Sequence, residues 1–368
     1  MWCAGRVLTA CCRDLAPLGI ALPTQQGARL RIVSDMHEAC DPTGTRGQDA
    51  LSRRSALVAT GSAVIGIAAL GTSACSPATA PQSSPALPEN ALITLGVAAG
   101  PPPTPNRTGI SSALKIGSDI YVIDCGLGSL NAFTNAGLQF NDLKTMFITH
   151  LHTDHIVDYY SFFLSGGYLA PPGRAPIQVY GPGPAGGLPP SEIGNPNPAT
   201  VDPANPAPGL AATTEALHQA FAYTSNIFIR DASIDNIQDL INVTEIAVPP
   251  GSDYRNRSPR MDPFPVLSDD NVAVTATLVS HYDVYPAFGF RFDLKKSAVS
   301  VTFSGDTTKS DNLIRLARGT DILVHEAMFS LDTAYYDNVS PRTICRTRIL
   351  RLSRSVRSPQ RSNPNNWS

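Results

Sequence analysis

Seven cysteines are scattered through 368 residues without one C-x-x-C spacing, which excludes a zinc knuckle and leaves no disulfide framework to read. Charge is sparse and even: 28 Lys and Arg against 30 Asp and Glu leave a net charge of −2. Such a balance offers no general attraction to nucleic acid. The one extended apolar stretch, residues 58–74, carries Gly61, Gly66 and Gly71. It holds too many small residues for a permanent membrane span and too much glycine for a good core helix. Histidine is scarce as well, with seven in the chain, so their placement is informative.

Three of the seven fall in residues 149–155, which read T-H-L-H-T-D-H. Imidazole nitrogen and carboxylate oxygen are the ligands a zinc ion takes, and catalytic sites use about three protein ligands with the remainder left to solvent. His150 and His152 alternate, so on an extended segment both side chains point to one side. Asp154 and His155 follow where the chain must turn into a helix, aimed at a second position beside the first. The flanks agree: 144–150 (K-T-M-F-I-T-H) is a short apolar strand and 156–164 (I-V-D-Y-Y-S-F-F-L) an apolar helix start. Isolated His218 reads instead as an ordinary core or surface residue.

H-x-H-x-D-H after an apolar strand resembles the metallo-β-lactamase superfamily, and further segments agree in order. Residues 95–109 (L-G-V-A-A-G-P-P-P-T-P-N-R-T-G) and 121–126 (Y-V-I-D-C-G) resemble its opening hairpins. Residues 279–291 (V-S-H-Y-D-V-Y-P-A-F-G-F-R) are similar to the strand with the third histidine in the ribonuclease Z and arylsulfatase branch. Residues 301–307 (V-T-F-S-G-D-T) resemble the strand ending in a bridging aspartate, and 321–329 (D-I-L-V-H-E-A-M-F) the H-E-A strand after it.

The resemblance spans roughly 92–336 and implies an α/β fold, the four-layer αββα sandwich, with a zinc centre of one or two ions per chain. Carried over, His150, His152 and His281 hold the first metal, Asp154 and His155 the second, and Asp306 bridges. Asp124 and Glu326 stand behind the ligands, where a carboxylate fixes ring tautomers. Asp154 and His325 are the candidates for orienting the nucleophile and moving protons. Arg291 faces substrate anions or caps a strand. Gly305, beside Asp306, is a turn or lets the backbone pass close to the metals.

The sequence departs from the family at its end. No histidine follows His325, although the family continues into a further helix and a final strand bearing its last ligand histidine. Residues 338–368 hold seven arginines, no lysine and no acid. A shifted reading frame or damaged gene is the expected cause, with the final helix and strand of the sandwich missing. A basic arm for anionic surfaces is the other reading.

At the other end, 52–57 (S-R-R-S-A-L) followed by the mild apolar stretch resembles a bacterial twin-arginine export signal. We therefore expect export to the periplasm or cell envelope. Residues 72–75 (T-S-A-C) weakly resemble a lipoprotein box that would lipidate Cys75, so membrane attachment is expected only through that anchor or the signal. Residues 1–51 show no pattern, Met36 would give the signal an ordinary start, and 76–91 reads as a Pro/Ser tether.

Residues 92–337 are enough for one α/β core. An insertion over about 182–260 interrupts it, proline- and glycine-rich at first and then helical from Leu210. It is expected to cover the site as a lid. Tyr159, Tyr160, Tyr168 and Tyr223 line an aromatic pocket or, as aromatic runs on helices more often do, join the core. Residues 311–318 read as a helix. The expected function is a metal-dependent hydrolase of small sulfate or phosphate esters, of arylsulfatase or phosphodiesterase type, using metal-activated hydroxide. It has no nucleic-acid partner, and a homodimer is compatible with it. The alternatives are a ribonuclease Z-like endonuclease for the 3′ side of transfer RNA and a truncated, inactive metal-binding protein.

Overall fold

The computed structural model describes residues 6–9, 31–34, 87–100, 103–169, 171–189 and 199–326. All of them belong to one compact unit formed by Met1–Asp35 and Leu87–Ser368. The signal-like segment, Cys75, most of the tether and the arginine-rich tail lie outside the described residues.

Thirteen strands in the described residues form two sheets. In chain order they are β1 (Arg6–Thr9), β2 (Arg31–Ser34), β3 (Asn90–Gly96), β4 (Ser111–Ile116), β5 (Asp119–Ile123), β6 (Leu143–Phe147), β7 (Ile177–Pro182), β8 (Ile241–Ile246), β9 (Phe264–Ser268), β10 (Val272–Leu278), β11 (Phe288–Leu294), β12 (Ser300–Phe303) and β13 (Ile322–His325). The helices are α1 (Ser129–Asn135), α2 (Thr153–Ile156), α3 (Tyr159–Gly166), α4 (Leu210–Ala220), α5 (Ala222–Ala232) and α6 (Asp311–Leu316). None of the described helices is long and apolar enough to cross a membrane.

One sheet runs β2-β3-β4-β5-β6-β7-β8 and the other β1-β13-β12-β11-β10-β9. Strand alternation explains how they stack. On β5, Tyr121 and Ile123 join the core between the sheets while Ile120 and Val122 join the core under the helices. Phe147 and Met146 on β6 divide the same way. A strand buried on both faces is apolar at successive positions, as Met146, Phe147 and Ile148 are. The inter-sheet core is aromatic: Phe147 lies edge-on to Phe290 and Phe292, with ring centroids 5.4 and 5.0 Å apart. The outer core sets Phe133 of α1 against Phe162 of α3, with Val179 and Leu210 in the same cluster. On the far face α6 contributes Leu313 and Leu316, packed with Val279 and Ala287. The Ser310 hydroxyl caps α6 by accepting from Leu313 N–H. The layers are helix, sheet, sheet and helix, the αββα sandwich expected from the sequence.

Two features were not foreseen. Short strands from the patternless N-terminal stretch add to the sheets, β1 parallel to β13 and β2 parallel to β3. In the inserted stretch, β8 extends the first sheet parallel to β7, and α4 packs onto the helix layer. Tyr159 Oη meets Thr214 Oγ1 at 3.0 Å, Tyr160 Oη reaches His218 Nδ1 at 2.7 Å, and Phe221 stacks on Tyr160. Tyr159 and Tyr160 are core and docking residues, while Tyr168 and Tyr223 are exposed.

Candidate metal centre

The site forms where strand ends of both sheets meet. β6 runs out at Phe147, and residues 148–152 carry His150 and His152 on extended backbone into α2, which supplies Asp154 and His155. From the other sheet, the loop after β10 brings His281 and the turn after β12 brings Asp306. Phe288 N–H donates to the Thr149 carbonyl at 3.0 Å, which ties the two sheets together beside the ligands.

Four histidine rings cluster there. Centroids of His150 lie 4.8, 4.0 and 4.5 Å from those of His152, His155 and His281. His281 Nε2 stands 3.1 Å from His152 Nδ1. His155 Nε2 is 3.3 Å from Asp306 Oδ1, and His281 Nε2 is 4.0 Å from Asp306 Oδ2. Two overlapping groups emerge, His150/His152/His281 and His150/His155/Asp306, each with ligand atoms within 4.8 Å of one another.

The hydrogen bonds behind the rings decide which nitrogens are free. Asp124 accepts from Thr149 N–H at 2.7 Å and from the Thr149 hydroxyl at 2.8 Å. Having donated its one proton, that hydroxyl accepts from His150 Nδ1 at 3.0 Å, leaving His150 Nε2 as a bare lone pair. His155 Nδ1 donates to Asp124 at 2.9 Å, so its Nε2 is also turned into the site. Asp154 Oδ2 accepts from Gly100 N–H at 2.8 Å.

Among the described residues, eight buried side-chain nitrogen and oxygen atoms lack a partner, and four of them are His150 Nε2, Asp154 Oδ1, His155 Nε2 and Glu326 Oε2. Buried polar atoms are seldom left unpaired. Four in one pocket, all good metal donors, fit a divalent cation of the zinc class.

The electrostatics agree. Burial lowers the pKa of His150 well below the usual imidazole value, helped by His155, His281 and His152. Burial also pulls His281 down to about 4, against the attraction of Asp306. For His155 burial acts in the same direction, but Asp306 and Asp124 outweigh it and raise the pKa well above normal. Burial opposes ionisation of Asp306, yet its histidine neighbours hold the carboxyl low, and burial with Asp306 alongside drives Glu326 high.

His150, His152, His155, His281, Asp154 and Asp306 therefore come to one place, with Asp124 hydrogen-bonded to Thr149 and His155 beside them. Arg291 does not face a substrate: its guanidinium bonds Asp293 at 2.9–3.2 Å and the carbonyls of Leu316 and Arg318. Its cross-strand position leaves it bracing the β11–α6 corner. His325 Nδ1 is 2.7 Å from the Glu326 carbonyl, engaged with backbone rather than with the ligands. Thr149 and Gly100 were missed. Thr149 stands inside the histidine motif, and its adjacency to His150 was the available signal; Gly100 acts through a main-chain N–H, which no side-chain pattern reveals.

Comparison with known proteins agrees with this geometry. Residues 110–168 match the family model of the anti-Pycsar protein Apyc1. The chain is 28% identical over 234 residues to ribonuclease Z of Mycobacterium avium, covering 63% of this chain and 69% of the relative. Ribonuclease Z of Mycobacterium bovis matches at 28% over 236 residues, with the same coverages. The chain is thus similar to the ribonuclease Z-like branch of the metallo-β-lactamase superfamily. Among solved structures, the short form of human tRNase Z is similar with a TM-score of 0.46 at 19% identity, covering 67% of this chain and 82% of that one.

For this metallo-β-lactamase-fold hydrolase the relatives correct two expectations. An arylsulfatase-like enzyme acting on small esters was the leading reading, with no nucleic-acid partner favoured. The matched relatives are ribonucleases by name, so the reading placed second takes precedence.

Proposed function

We propose that this protein is a metal-dependent ribonuclease of the ribonuclease Z type, cutting a phosphodiester on the 3′ side of transfer-RNA precursors. The observation that carries the metal chemistry is the convergence of unpartnered His150 Nε2, His155 Nε2 and Asp154 Oδ1 with His152, His281 and Asp306. Relatedness to ribonuclease Z supplies the substrate class.

His150, His152 and His281 would hold one ion and Asp154 and His155 a second, with Asp306 between them. When bound, the metal supplies Lewis acidity, easing ionisation of water and neutralising charge on phosphate oxygens. Asp124 and Thr149 keep the His150 and His155 rings in the tautomers that present Nε2. Gly100 N–H fixes one Asp154 oxygen and leaves Oδ1 to orient water or receive its proton.

The test is incubation of the zinc-loaded full chain with a transfer-RNA precursor carrying a 3′ trailer, beside His152→Ala. Trailer release by the native chain, lost in the variant, supports the reading. Bound zinc without RNA cleavage refutes it.

A second reading, carried by the paired Arg53 and Arg54, is that residues 52–75 direct export by the twin-arginine route, in which case the substrate is RNA outside the cytoplasm and not a transfer-RNA precursor. An exported ribonuclease meets RNA outside the cytoplasm, so the residence of the protein determines which RNA it encounters.

A further inference from the structure

Residues 247–263 join β8 to β9, and the middle of that connection is tied at both ends to the segment that carries His281. The Tyr285 hydroxyl donates to Ser252 Oγ at 3.3 Å. Further along, the buried amide of Asn312 donates from Nδ2 to the carbonyls of Pro259 and Leu278 at 2.9 and 3.0 Å, and its Oδ1 accepts from Met261 N–H at 3.1 Å. Leu278 stands three residues before His281 and Tyr285 four after it. The loop is therefore fastened on both flanks of one metal ligand, and His281 is itself partly open to solvent.

Between the fastenings the loop concentrates positive charge. Residues 253–260 (D-Y-R-N-R-S-P-R) hold three arginines and one acid in a chain whose net charge is −2. Asp253 is turned onto the loop's own backbone: its Oδ1 accepts from the N–H groups of Arg255 and Asn256, both at 2.7 Å. Asn256 Nδ2 donates to the Gly251 carbonyl at 2.7 Å, which closes the turn. Arg255 and Arg260 are exposed. The Arg255 guanidinium carbon lies 4.7 Å from the centre of the Tyr254 ring, and that ring is set against Gly187, where a methyl group would stand 2.8 Å from Cζ. A guanidinium stacked on an aromatic face is pre-oriented and keeps its N–H fork for a phosphate. Asp283 is the exposed acid of the His281 segment, so a polyanion is drawn to the arginine side.

We propose that the 253–260 loop is a phosphate-holding rim of the metal centre, where Arg255 and Arg260 grip the backbone of a single RNA strand beside the phosphodiester at the ions. Phosphate contacts of this kind hold the strand in register without reading its sequence. The inference rests on the ribonuclease reading above for its substrate class.

The experiment gives the zinc-loaded full chain, native and as the double variant Arg255→Gln, Arg260→Gln, a short fluorescein-labelled oligouridine and follows binding by anisotropy over a range of salt. A second oligouridine carrying 4-thiouridine is photo-crosslinked to the native chain, and the attached peptides are mapped by mass spectrometry. Crosslinks are expected within residues 250–263. The log–log salt dependence should be shallower in the variant by about 1.4, two contacts at roughly 0.7 each. Cleavage of a transfer-RNA precursor should show a raised KM with kcat retained, while zinc content and Tm stay native. Should the variant lose its fold, the crosslink map of the native chain decides alone.

Equal salt slopes, or crosslinks confined to the arginine-rich residues 338–368, would overturn the inference even where the precursor is cut. Crosslinks on the loop and a shallower slope without precursor cleavage would refute the ribonuclease Z reading and leave the rim standing.

Discussion

Asp124 Oδ2 stands 2.9 Å from His155 Nδ1, and the same carboxylate takes the Thr149 hydroxyl that in turn holds His150. One buried acid therefore sets the orientation of two ligand rings. It can do so because Asp124 sits at φ +59°, a left-handed turn at the end of β5 that few non-glycine residues adopt. Asp124→Asn preserves size but cannot accept from all three donors. Zinc affinity should fall about 10–100-fold with the fold retained, as read by chelator competition and circular dichroism. Unchanged affinity would show that the rings are held by packing alone.

Gly305 carries Asp306 into the site at φ +58° with no room for a side chain. A methyl group there would stand 2.6 Å from the Phe288 carbonyl oxygen and 3.2 Å from Thr149 Cβ. Both neighbours belong to the seam that joins the sheets. Gly305→Ala should destabilise the chain by about 1–3 kcal/mol and weaken metal binding further by moving Asp306. A Tm within a degree of native, with full metal content, would show that the turn relaxes freely.

The convergence was legible because the chemistry is concentrated: His150, His152, Asp154 and His155 fall within six residues, and His281 and Asp306 follow recognisable strands. The layers were legible because the successive apolar positions Ile120 to Ile123 on β5, and Met146 and Phe147 on β6, mark strands buried on both faces. Substrate was not, because one ligand set serves many leaving groups and says nothing about what docks outside it. The packing of the insertion was not legible at Leu210 and Thr214, whose helical spacing marks a buried stripe without saying which surface buries it; they pack on the α3 side. Arg291 was ambiguous because strand alternation gives a face but not the partner, and Asp293 two residues on captured the guanidinium. The N-terminal strands are four residues each, too short for alternation to show.

The export proposal rests on Arg53 and Arg54, which lie outside the described residues. A twin-arginine signal is read by its receptor through the paired guanidinium groups, so charge alone does not substitute. With the signal intact the protein should fractionate outside the cytoplasm; with Arg53→Lys and Arg54→Lys together it should be retained. Equal partitioning of the two forms would remove the export proposal and leave cytoplasmic transfer-RNA precursors as the accessible substrate.

Far from the metal centre, Tyr121, Lys144, Asp119, Asn271 and Asp269 form a polar network around the turn between β9 and β10. Tyr121 Oη donates to Asp269 at 2.7 Å, Lys144 Nζ lies 3.1 Å from it, and Asn271 and Val272 N–H groups donate to it at 2.9 Å. Burial alone would raise the Asp269 pKa, but these donors outweigh it and hold the carboxyl below its ordinary value of 3.8. The sign follows by linkage: a carboxylate depressed in the folded state stabilises above its unfolded pKa, about 3.9. That contribution is lost as pH falls through the lower folded value. Asp269→Asn should therefore cost about 1.5–3 kcal/mol near neutral pH, the scale of hydrogen bonds to a charged group. The cost should shrink as the pH drops below about 4 and vanish only once native Asp269 is itself protonated at its lower folded value. Denaturant melts of both chains from pH 7 to pH 3 measure this directly. If the two curves stay parallel across the range, Asp269 holds the turn by shape and not by charge.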